Sequence, residues 1–158
     1  MSTARRRPSS LLLAAAIGLA AWTPLYAAAV RLMLRRNIAA LGRALDEIVR
    51  RHEVLRTTFS TASGQPVQII HPAAGVPLPV DDLSGLPADA REIALRQHIQ
   101  AEAGRSFDLA AGPLLRARLL KLAEQEHVAI VVMHHIISDG WSMGVFVREM
   151  SVLYAAFK

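Results

Sequence analysis

A chain of 158 residues suits one domain with a real hydrophobic core, and 53% apolar against 20% charged residues excludes a disordered chain. The absence of cysteine excludes disulfides, thiolate metal sites and a cysteine nucleophile. A net charge of +5 suits a solvated basic surface or an acidic protein partner, whereas 5% aromatic residues leave few stacking platforms, so no nucleic-acid partner is expected.

The basic run Arg5-Arg6-Arg7 is followed by uncharged chain from Pro8 to Val30. Leu11 to Trp22 has the character of a signal-peptide core, with Ala27-Ala28-Ala29 as a small-residue cleavage site. Leu11 to Val30 is also close to the minimum for a membrane span, although Pro24 interrupts it. A buried helix or a leader foreign to the domain are the competing readings. Residues 1–29 are therefore set apart as a hydrophobic leader, signal-like or a non-native start, and residues 30–158 as the domain.

Val30 to Leu34 reads as a short strand, and Asn37 as the N-cap of a helix. Ile38, Leu41, Leu45, Ile48, Val49 and His52 recur at three- and four-residue steps and make one apolar helical face. RHEVLRTTF (51–59) passes into β-branched residues, and Ser63-Gly64 turns the chain into a strand from Val67 to Ile70. Residues 72–87, rich in proline and glycine, form a connecting loop with a short extended piece from Leu78 to Val80. A weaker helical pattern covers residues 88–103. The chain then turns at Gly112-Pro113 into a strand in which Arg116 and Arg118 share a face. HVAIVVMH (127–134) is a nearly unbroken apolar run, as in a central strand covered on both faces. Met143, Phe146, Val147, Met150, Leu153, Tyr154 and Phe157 then form the stripe of a last helix. The expected order is β-α-β-β-α-β-β-α, an α/β layered domain.

HHIISDGW (134–141) carries the chemistry worth weighing. Side chains alternate along a strand, so His134 and His135 should point apart if both end the preceding strand, which disfavours one metal ion between them. No neighbouring cluster offers a third ligand, and no metal is expected. A histidine at a strand end, before a turn and a helix start, lies where ligands reach an α/β sheet and titrates near physiological pH. Asp139 either orients a histidine or caps the following helix and pairs with an arginine. Gly140 gives the turn backbone freedom. G-x-S-x-G, GxxxxGK and GxGxxG are all absent, so the site has a base without a nucleophile of its own, which suits transfer between two bound substrates.

These residues carry a resemblance. HHIISDGWS (134–142) resembles the HHxxxDG motif of nonribosomal peptide synthetase condensation domains. RRHEVLRTTF (50–59) is similar to the family's RHExLRTxF stretch, RSFDLAAGPLLRARLLKL (105–122) to its FDLxxGPLLRA segment, and REMSVLYAAF (148–157) to its following helix. The resemblance implies a chloramphenicol acetyltransferase-like α/β sandwich of two layers, here one lobe of the usual two. It implies peptide-bond formation between acyl and aminoacyl groups carried on the phosphopantetheine arms of carrier proteins, with no cofactor bound by this chain. Expected partners are peptidyl or acyl carrier proteins and a second condensation lobe or adjacent synthetase modules, in the cytoplasm and without a membrane partner.

By the same resemblance His135 is the functional imidazole, as general base or positioning group for the acceptor amine. Gly140 lies close to the reacting centre, His134 is structural, and Asp139 is structural and pairs with Arg56. Two departures stand out. The alanine-rich leader replaces the family's opening serine-rich strand and A-Q-x-R-L-W-type helix, and the chain stops one helix after the histidines. The expectation is an apparently truncated N-terminal lobe with half its channel wall absent. Alternatives are a non-catalytic fragment or interaction module of the same fold, or an epimerization or acyltransferase relative that shares HHxxxDG.

Overall fold

The computed structural model describes residues 25–33 by their backbone and residues 37–158 with side chains. The signal-like stretch Leu11–Trp22, Pro24 and the expected strand residue Leu34 lie outside the described residues. The first strand, β1 (Leu25–Met33), includes Ala27, Ala28 and Ala29 and begins five residues before the expected Val30. Helix α1 (Ile38–Arg51) starts where the Asn37 side chain accepts a hydrogen bond from the Ala40 N–H at 2.9 Å. Its apolar spacing buries Ala40, Leu41, Ala44, Leu45, Ile48 and Val49 as one face.

A 3₁₀ turn (Glu53–Arg56) leads into β2 (Thr57–Ala62), which pairs with β3 (Gln65–Ile70) as a separate two-stranded sheet. Ser63 and Gly64 both have positive φ (52° and 77°), the backbone a two-residue hairpin turn requires. Then come β4 (Val80–Asp82), α2 (Ala88–Gly104), β5 (Leu115–Lys121), β6 (Glu126–His134) and α3 (Gly140–Phe157). The order departs from expectation by one strand. β4 is extended because it pairs in parallel with β5, a partner far away in sequence, and Pro77 and Pro79 leave it no local signature of its own.

The main sheet runs β1-β6-β5-β4, with β6 antiparallel to both its neighbours. Burial of two consecutive residues shows how it is covered. Leu119 and Leu120 point to opposite faces of β5, and both are 0% exposed. Leu119 joins Leu115, Ala117, Ala129 and Met133 against α1 and α3, while Leu120 joins Val128, Ile130, Val132 and Leu95 of α2. Among the described residues, α2 adds only Leu95 to the buried set on the sheet's second face. Arg116 and Arg118 share that face as their spacing requires, and both pair with Glu102 of α2. Among the described residues, no helix is long and apolar enough to cross a membrane.

Candidate functional site

β6 ends at His134 rather than continuing through both histidines, and residues 135–137 form a turn. His134 therefore closes the strand and His135 opens the turn, so strand alternation does not govern the pair. His134 is anchored three ways: its N–H donates to the Leu114 carbonyl at 3.0 Å, its carbonyl accepts from the Ile137 N–H at 3.0 Å, and its Nδ1 lies 3.1 Å from the Ile136 nitrogen. A backbone N–H can only donate, so Nδ1 must accept and the His134 proton sits on Nε2. Burial pushes the His134 imidazole below the usual histidine range, with charge on His135 adding to the effect. Burial thus disfavours the charged form of His134. His135 follows it, exposed at the tip of the turn, while Ile137 and Ser138 are buried. No group of three potential metal ligands is found among the described residues.

Burial of His127 lowers its affinity for protons as well. Both folded histidines resist protonation that the unfolded chain accepts, so their contribution to stability is complete above about pH 6.5 and is lost as pH falls below it. His134→Asn keeps an acceptor near Nδ1 and cannot titrate. In urea unfolding between about pH 7.5 and 5.5 it should flatten the pH dependence of stability. An unchanged slope would assign the titration to other groups.

Asp139 caps α3. Its carboxylate accepts from the Ser142 N–H at 2.7 Å and from the Ser142 hydroxyl, while the Asp139 N–H donates to Ser142 Oγ at 2.8 Å. This reciprocal box places Gly140 at the first position of the helix. Hydrogen bonds from the Ser142 side chain and backbone hold the Asp139 carboxyl below the usual carboxylate range.

The expected Asp139–Arg56 pair does not form. Arg56 donates through Nη1 to the His71 carbonyl and through Nη2 to Glu53 Oε1 at 3.1 Å, and it lines a cavity of about 310 Å³ with Val49, Thr58, His71 and Leu114. None of residues 134–140 lines that cavity. The physical reason is local competition. Ser142 lies three residues from Asp139, and Glu53 three residues from Arg56, so each charge finds a partner within its own turn. Asp139→Ala should therefore cost a helix cap, seen as a fall of a few degrees in melting temperature, and Asp139→Asn should melt close to wild type. A collapse of the fold in Asp139→Ala would show that this carboxylate does more than cap the helix.

The FDL–GPLL segment meets the histidine turn, and the other motif segments meet that segment or the last helix. Leu114 of GPLL holds His134, and the Phe107 ring meets the His134 ring edge to face, with centroids 6.1 Å apart. Phe59 N–H donates to the Leu109 carbonyl at 2.7 Å. At Gly112 (φ 60°) an added Cβ would lie 2.8 Å from Thr58 Cγ2, so glycine there lets the RTTF and GPLL segments touch. His52, after α1, meets Glu149 of α3 at 2.9 Å. Phe107, Leu114 and Ser142 are site residues that sequence reasoning misses. The one available signal for Ser142 is its three-residue spacing from Asp139. Phe107 and Leu114 belong to a motif with no local chemistry to mark them. Trp141, beside the turn, is 84% exposed.

Comparison with known proteins gives the family. A family model described as condensation domain matches residues 25–158. The chain is 54% identical over 118 residues to the chondramide synthase of Chondromyces crocatus, covering 75% of this chain and 3% of that protein. It is 50% identical over 129 residues to a linear gramicidin synthase of Brevibacillus parabrevis, covering 82% of this chain and 2% of that one. Among solved structures, the X-domain from teicoplanin biosynthesis is similar at 35% identity with a TM-score of 0.74, over 82% of this chain and 27% of that structure.

Proposed function

Because this chain belongs to the condensation-domain family, we propose that it forms the histidine-bearing lobe of an amide-forming nonribosomal peptide synthetase domain. The family, its chloramphenicol acetyltransferase-like fold and its peptide-bond-forming chemistry are general properties; the activity of this chain is the inference. The observation that carries it is the placement of His135, an exposed imidazole in a turn whose neighbours His134 and Ile137 are fixed to the body of the fold.

The substrates are two thioesters on phosphopantetheine arms of carrier proteins. The acceptor amine attacks the donor thioester carbonyl, the C–N bond forms, the C–S bond breaks, and the amine proton passes to the departing sulfur. His135 receives that proton in transit or holds the amine in line for attack. His134, its Nδ1 taken up by the Ile136 N–H and its ring against Phe107, leaves this task to its neighbour. No cofactor takes part. A second lobe supplies the other wall of the channel, and the carriers place the reaction in the cytoplasm.

The test mixes the 158-residue chain, alone and with a separately supplied second lobe, with loaded donor and acceptor carriers. Dipeptidyl thioester is expected when both lobes are present. A stable complex of the two lobes that makes no dipeptidyl thioester would overturn the proposal.

A further inference from the structure

The histidine turn is held from the α2 side of the sheet by two residues of the segment between α2 and β6. Arg116 places its guanidinium carbon 3.6 Å from the centroid of the Phe107 ring, well within cation–π range. The same guanidinium donates to three carbonyls: Nη1 to Ser106 at 3.1 Å, and Nη2 to Arg105 at 2.6 Å and Glu102 at 3.2 Å. These carbonyls lie at and just beyond the C-terminal end of α2, where helical carbonyls lack partners and a cation is favoured. Phe107 is thereby clamped on one ring face. It then meets the His134 ring at 88° between planes, with its centroid 6.1 Å away, the T-shaped arrangement aromatic rings prefer. His134 in turn spends Nδ1 on the N–H of Ile136, across His135.

We propose that Phe107 and Arg116 are positioning residues for the His135 imidazole: Arg116 locks Phe107, Phe107 fixes the His134 ring, and that ring fixes the turn that carries His135. The proposal rests on the reading of His135 given above. A plain core aromatic and a plain helix-end arginine would affect stability alone. A relay also controls which nitrogen of His134 carries the proton, because a ring free to rotate loses the Ile136 N–H that selects the Nε2–H form.

Long-range proton–nitrogen NMR of the imidazoles in the 158-residue chain tests this directly, with His134 assigned from the signals lost in His134→Asn. Wild type and Phe107→Tyr, which keeps the ring, should each show a single Nε2–H tautomer. Phe107→Leu, which keeps an apolar side chain without the ring, should show averaging between tautomers while still folded. With the second lobe supplied, Phe107→Leu should lower kcat about 10-fold with KM nearly unchanged, and Phe107→Tyr should restore it. Should Phe107→Leu fail to fold, Arg116→Lys keeps the positive charge, loses the planar fork, and should move both readouts in the same direction.

A folded Phe107→Leu chain with a single Nε2–H tautomer overturns the relay. Tautomer averaging with unchanged kcat overturns it as well. His135→Ala in the same assay then shows which idea failed: an active variant removes the reading of His135, and an inactive one removes the relay alone.

Discussion

His135→Ala, assayed with a second lobe and loaded carriers, is expected to slow amide formation by about 10²–10⁴-fold, the usual contribution of a positioned general base. The stability of the chain should hardly move, because His135 is exposed at the tip of its turn. The contrast with its neighbour makes the experiment informative. His134→Ala removes a ring that accepts from Ile136 and packs against Phe107, so it should lower stability and activity together. A pH–rate profile separates the two roles open to His135. A base loses rate as its imidazole becomes protonated, whereas a positioning group gives a shallower dependence. Unimpaired turnover by His135→Ala would sink both roles.

Leu119→Ala should be among the most damaging core substitutions, at about 2–5 kcal/mol. That is a large part of the total stability expected of a domain this size, roughly 5–15 kcal/mol. Leu119 is 0% exposed and sits on β5 under α1 and α3, where the neighbours that would have to close the gap are held by the sheet on one side and two helices on the other. Leu120→Ala tests the opposite face. It is equally buried, but among the described residues α2 adds only Leu95 to that face, so partial collapse of α2 onto the cavity should make the loss smaller. Urea unfolding of both variants checks the order. Equal losses would show that α2 covers its face as rigidly as α1 and α3 cover theirs.

Much of this is legible in the residues alone. The face of α1, its Asn37 cap, the hairpin turn at Ser63-Gly64, the buried strand 127–134 and the stripe of α3 follow from spacing and from residues with strong local preferences. The four motif segments are likewise readable in the sequence, whereas the contacts between them are supplied by the fold. β4 is not readable in full, because a three-residue strand among prolines is extended only through its pairing with β5.

Sequence by itself determined the helices and the central strand, since periodicity and capping act over a few residues, and resemblance alone singled out the histidine turn. Tertiary structure decided how the charges and rings of that turn are partnered. Asp139 could in principle meet Arg56, and the folded chain instead gives Asp139 to Ser142 and Arg56 to Glu53 and His71. His134 and His135 are chemically identical in sequence. Leu114, Ile136 and Phe107, brought together by the β5–β6 pairing and the loop before it, tie one imidazole into the fold and leave the next exposed at the tip of the turn.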